Sequence, residues 1–200
     1  DNTQILVKIS HELENIDRLD ILSDMVSSSM NLDTSEPEIM CIFLKVLSHF
    51  NEELFFKYID DPRLNHYVND VIKYSKRCNP SLTLEFFIHT NNFEEILNLS
   101  FSLSLWEKLA MYLIKSKQAA SWSMALDKDE NGNLFAKVIE LVSVFPDSES
   151  ASCLIKVIVL KKNSSMLIKI VSALLENNDV LHTNRSLQTI YLITLIEVSF

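Results

Sequence analysis

Glycine is nearly absent from this chain: Gly132 is the single one in 200 residues, and four prolines complete the strong turn formers. Tight β-hairpins need positive φ at one or two positions, which glycine supplies without steric penalty, so a sheet built from this sequence would have nowhere to turn. Helices joined by short polar breaks need far less of it. The expected fold is all-α.

Hydrophobic residues make up 48% of the chain, enough at this length to bury roughly 70% of the unfolded surface. The net charge of -9 and the pI near 5.0 repel phosphate backbones and anionic lipid heads, so neither nucleic acid nor direct membrane insertion is expected. The longest apolar run, Ile190 to Ile193 extended by Leu195 and Ile196 across Thr194, falls far short of the roughly 20 residues of a bilayer span. Cys41, Cys78 and Cys153 are odd in number and widely spaced, which fits neither a disulfide framework nor a zinc site and reads as reduced core thiols in the cytosol or nucleus. The chain opens on Asp1 without Met and stops at Phe200 directly after an apolar periodic segment, as an excised piece of a longer protein would.

Apolar residues recur at intervals of three and four through segment after segment, separated by breaks rich in Asn, Asp and Ser, and predict about thirteen helices. The first spans Gln4 to Ile16 and the second Arg18 to Met30; Asp33 to Ser35 before Pro37 mark the start of a third through Leu47. Glu53 to Ile59 follows, Pro62 opens a helix through Tyr74, and Pro80 opens one through Phe87. Phe93–Leu103, Leu105–Ile114, Ala119–Leu126, Leu134–Phe145, Ala151–Leu160, Met166–Leu175 and Leu187–Val198 complete the series. Helices this short gain stability by packing one face, and a hairpin period of about 30 residues with no long loop predicts a right-handed α-α superhelix, a solenoid of short antiparallel hairpins. A globular helical bundle stays open as the alternative.

Chemistry is hard to find. One glycine excludes phosphate-binding loops and nucleophile elbows. His11-Glu12-Leu13-Glu14-Asn15 begins like a zinc-protease helix but has Asn15 where the second histidine must sit, and His49, His66, His89 and His182 lack partners at ligand spacing. Asp127 to Asn133 looks acidic enough for calcium, with Gly132 sixth, yet the twelfth position is Val138 instead of the bidentate Glu. It reads as a solvated turn. Asp60-Asp61 and Glu94-Glu95 point about 100° apart on a helix and form no acid-base pair. The sequons at Asn98, Asn163 and Asn184 say little in a chain without a secretory signal. Lys161, Lys162 and Lys169 suit a helix C-terminus, and Phe55, Phe56, Tyr58, Phe86 and Phe87 suit hairpin core, as do Tyr74 and Trp122. No catalytic, cofactor-binding or metal residue and no cofactor is expected, and the chain reads as a non-enzyme.

The segment Val71-Ile-Lys-Tyr-Ser-Lys-Arg-Cys-Asn-Pro80-Ser-Leu-Thr-Leu-Glu-Phe-Phe87 resembles the leg of the clathrin heavy chain family, where a helix ending in Tyr and basic residues passes through a Pro turn into the next. Asn51 to Asp61 is similar to the family segment before it, and Leu109 to Lys117 with Trp122 to the one after. Asn178-Asp179-Val180, Arg185-Ser186-Leu187-Gln188 and Thr194-Leu195-Ile196 follow in the same order. One departure is Gln118 to Ser121, where the family tends to place Asp-Pro before Trp122.

The resemblance implies that residues 1–160 make most of one clathrin-type repeat of the distal leg and residues 161–200 open the next. It implies a structural coat segment of coated vesicles and coated pits, cytoplasmic and peripheral, serving intracellular transport and endocytosis. Its partners would be other clathrin heavy-chain legs in the lattice, with light chain and adaptors bound only by regions outside this segment. A vacuolar-sorting tether subunit with the same helical repeat, acting as a protein-binding scaffold, is the alternative.

Overall fold

Asparagine turns the corners that glycine would turn in another chain. The Asn51 N–H closes one helix on the Leu47 carbonyl at 2.9 Å while its side chain accepts from Leu54 N at 3.0 Å and starts the next. Asn79 repeats this between Ser75 and Leu82, and donates its amide to the Ser48 carbonyl at 2.9 Å. A short polar side chain that mimics backbone can end one helix and cap another without positive φ.

The structure, a computed structural model, describes residues 2–16, 18–23 and 36–199, and no strand occurs among them. They fall into two compact units, Asp1–Asn91 and Asn92–Phe200. The first holds α1 (Asn2–Asn15), α2 (Pro37–Phe50), α3 (Glu52–Ile59), α4 (Val68–Cys78) and α5 (Pro80–His89). The second holds α6 (Phe93–Ser102), α7 (Trp106–Ser116), α8 (Ala119–Lys128), α9 (Asn133–Glu140), α10 (Ser148–Leu160), α11 (Ser164–Asn177) and α12 (Arg185–Ser199). The prolines sit where a missing donor costs nothing: Pro37 and Pro80 open α2 and α5, and Pro62 opens a 3₁₀ turn.

Within each unit a helix packs on its hairpin partner and also on the helix two places along. In the first, α2 meets α3 and α4; in the second, α7 meets α9, α8 meets α10 and α9 meets α11. That is the contact pattern of stacked hairpins, in which each layer touches only its neighbours. Phe43, Phe55, Leu64, Tyr74 and Leu82 are buried in the first unit, and Trp122, Leu113, Leu134, Leu154 and Ile170 in the second. Tyr74 and Trp122 are core residues, as their periodicity predicts.

Three predicted helices differ. The one expected at Arg18–Met30 begins as a 3₁₀ turn, Leu19–Leu22, whose two leucines are buried against α2; Met25 to Met30 and the expected cap Asp33 to Ser35 lie outside the described residues. The Pro62 helix is a 3₁₀ turn, Pro62–Leu64, before α4. The Leu134–Phe145 helix stops at Glu140 and continues as a 3₁₀ turn, Val142–Val144. Pro146 forces Phe145 out of the helical region, to φ -62 and ψ 117.

Scarce glycine leaves a trace in the backbone. Asn91, Ser104, Lys117 and Lys162 take positive φ of 52 to 56° alongside Gly132 at 71°. At Lys162 the geometry is a Schellman turn, with Lys162 N bonded to Val159 O at 2.9 Å and Asn163 N to Ile158 O at 3.3 Å.

Candidate functional site

Side chains that join separate helices do so across a recurring interval. Tyr67 and Glu38 are 29 residues apart, Ser48 and Cys78 30, Lys45 and Glu14 31, Lys128 and Asn98 30, Lys117 and Asp147 30, Lys161 and Asp127 34, and Asn178 and Val142 36. The interval is one hairpin, so these bonds tie each hairpin to the next.

The first unit's node is Glu14. Lys45 Nζ donates to Glu14 Oε2 at 2.7 Å and Arg77 to Oε1 at 3.4 Å, so one carboxylate from α1 holds cations from α2 and α4. The Lys45 side chain is only 10% exposed, and a lysine that buried needs its counter-ion. Both cations also lie over the Tyr74 ring, at 5.8 and 5.7 Å, and His49 Nε2 is 2.8 Å from the Tyr74 hydroxyl. Beside the node is a cavity of about 150 Å³ lined by Val7, His11, Cys41, Tyr67 and Asp70 among others. Burial pushes the Cys41 thiol up to about 11, with Asp70 and Glu14 adding to the shift against the opposing charge of Lys45. A neutral, shielded thiol is a poor nucleophile.

The second unit has a similar node in Lys117, which donates to Asp147 at 2.7 Å and Glu149 at 2.9 Å and accepts from the Cys153 thiol through its carbonyl at 3.2 Å. The Lys117 bond, reinforced by Ser150 N–H, holds the Asp147 carboxyl down to about 2, and the two carboxylates raise Lys117 to about 12.

The residues weighed for chemistry have structural surroundings. Among the described residues no three His, Cys, Asp or Glu side chains gather as a metal would require. His89 faces Asp60 at 3.3 Å, and His182 Nδ1 lies 2.7 Å from the Asp179 carbonyl. Asp61 caps its 3₁₀ turn and holds Arg63, which lowers its carboxyl to about 2. In the acidic turn, the Asp129 carboxylate accepts from Leu134 and Phe135 N–H at 3.2 and 2.9 Å, the bonds of a helix cap, and Asp127 pairs with Lys161. Asn163 and Asn184 cap α11 and α12, and Asn98 accepts from Lys128. The charged groups therefore serve as brackets between and within hairpins.

Over 195 residues the chain is 26% identical to a probable clathrin heavy chain of Schizosaccharomyces pombe, an alignment covering 95% of this chain and 11% of that protein. The likeness is to a clathrin-like helical repeat. No family model and no solved structure matches. The chain spans about one-ninth of the relative's length, and together with the all-helical fold the likeness points to a structural protein instead of an enzyme.

Sequence reasoning missed the nodes at Glu14, Lys117 and Asn178. The available signal was opposite charges about one hairpin period apart, as in Glu14 with Lys45 and Lys117 with Asp147. It also missed the outer surface of α12. Leu187 and Thr194 on one face are buried, while Leu192, Ile193 and Ile196 on the opposite face are 60, 51 and 58% exposed. A helix apolar on both sides is one built to be covered on both.

Proposed function

We propose that this chain is a segment of a clathrin-type leg, a structural coat component that contributes to the lattice around transport vesicles. Collinear similarity to a clathrin heavy chain over 195 residues carries the reading, supported by ties that repeat at one hairpin period. On this reading residues 1–160 make most of one repeat and residues 161–200 open the next, so that the apolar outer face of α12 takes the following hairpin.

Function follows from mechanics. A stack whose layers are each bracketed to the next by ion pairs and buried amides resists bending, and a stiff rod can pack weakly against other legs at many points, which multiplies shallow contacts into a stable lattice. Other heavy-chain legs are then the partners, while light chain and adaptors bind elsewhere in the longer protein. The charge of -9 favours attachment to vesicles through protein, not through lipid.

The test is to tag the protein in its own cells and fractionate. Recovery with coated vesicles, and a fall in endocytic uptake on depletion, is the expected outcome. Recovery with vacuolar tethering complexes would replace this reading with that of a scaffold built on the same repeat. Small-angle scattering on the 200 residues adds a shape criterion, because a compact chain of this length has a radius of gyration of about 16 to 17 Å and a rod exceeds it.

A further inference from the structure

We propose that α1 is a releasable strap, latched onto α2 and α4 by the Glu14 node and poised to swing away and uncover Cys41 and the face of α2 around it. The packing of α1 differs from that of its neighbours. Ser10 is its buried residue, and the apolar side chains it turns toward the core, Leu6, Val7 and Leu13, are only partly buried. Ile5 and Ile9 are 56 and 46% exposed. The cavity of about 150 Å³ lies between α1, α2 and the start of α4, so the fit beneath the helix is incomplete. Apolar burial alone holds α1 weakly.

What it lacks in burial it gains at Glu14. Among the described residues, the side-chain bonds from α1 to the rest of its unit are those Glu14 accepts from Lys45 and Arg77. Lys45 is the buried member, so loss of the carboxylate leaves an uncompensated ammonium beneath the helix and favours entry of water along the existing cavity. Just beyond α1, Leu19 and Leu22 are 1 and 3% exposed and anchored on α2. The chain can therefore hinge between Asn15 and Leu19 without losing its hold on the unit.

Cys41 reports the opening. It lines the cavity and is 7% exposed when the strap is down, and the burial that shields it also keeps it protonated; release removes both protections. Cys153, in the other unit, is an internal control.

The experiment alkylates the full chain with iodoacetamide under native conditions in a Cys78→Ser background and reads each site by mass spectrometry. Glu14→Gln is expected to accelerate labelling of Cys41 by about tenfold or more while leaving Cys153 unchanged. An unchanged Cys41 rate overturns the proposal, as does equal acceleration of both cysteines, which signals global unfolding. Hydrogen exchange on the unaltered chain is independent of any variant: the amides of α1 are expected to exchange through an opening that leaves α2 protected, and joint exchange of the two helices overturns the strap.

Discussion

Asn178, at the end of α11, donates its side-chain amide to the Val142 carbonyl at 2.7 Å, 36 residues away. The same nitrogen reaches the Phe145 carbonyl at 3.1 Å, while the side-chain oxygen accepts from Val180 and Leu181 N–H, each at 3.0 Å. One buried amide thus satisfies four backbone groups of two segments.

Replacing Asn178 with Leu strands those groups, so the second unit is expected to lose about 2 to 4 kcal/mol, the cost of leaving buried polar groups unpaired. Asn178→Asp keeps the acceptor but loses the donor and sets a carboxylate against two carbonyl oxygens. It should be at least as damaging at neutral pH and partly recover in acid. Urea denaturation of both variants at pH 7 and pH 4 decides this.

Trp122→Ala and Tyr74→Ala are each expected to destabilise by about 3 to 5 kcal/mol, since both side chains are core and their removal leaves large cavities. Trp122 Nε1 has no hydrogen-bond partner, so Trp122→Phe loses volume alone and should cost less than Trp122→Ala. Denaturant midpoints for the three variants are the check.

The Lys117 and Asp147 pair predicts a pH profile. Asp147 is held below its ordinary value by Lys117, so its contribution is complete above the normal carboxylate range and fades as pH falls from about 4 toward 2. Lys117 is raised by Asp147, so its contribution is complete below its ordinary value and fades only as pH climbs past 10.5 toward about 12. The brace is intact between about pH 5 and 10, and Lys117→Met should flatten the acid limb. Both groups are partly exposed, so salt should weaken the effect. Thermal melts from pH 2 to 7 in low and high salt read it out.

Positive φ predicts a gain. Ser104 and Lys162 occupy left-handed positions that cost side-chain-bearing residues roughly 1 to 2 kcal/mol, so Ser104→Gly and Lys162→Gly are expected to stabilise by up to about 1 kcal/mol once the greater freedom of unfolded glycine is subtracted. Lys117 has the same backbone, but Lys117→Gly should stabilise less or destabilise, because the bonds to Asp147 and Glu149 leave with the side chain. Melting temperatures of the three variants side by side test the contrast.

Much of this architecture was legible in the sequence for local reasons. One glycine excluded hairpin sheets, Pro37 and Pro80 fixed the starts of α2 and α5, and Tyr74 and Trp122 declared themselves core by period. The 3₁₀ turn at Val142–Val144 was not legible, because its carbonyls are claimed by Asn178, a residue from another layer. Glu14 and Lys45 looked like ordinary surface charges until stacking set α1 against α2. Residues weighed for metal or calcium, such as His11 and Asp129, carry letters that chemistry and capping share, and only geometry separates the two uses.

Because the ties in each unit reach back about one hairpin, a growing chain never waits long for a partner. A ribosome adding about 5 to 20 residues per second delivers the matching helix within seconds, and the loop to be closed is short enough that closure is fast and entropically modest. Each layer can set against the one already made as it emerges, in the order of synthesis. A protein of this design can then grow very long by repetition without its folding becoming slower.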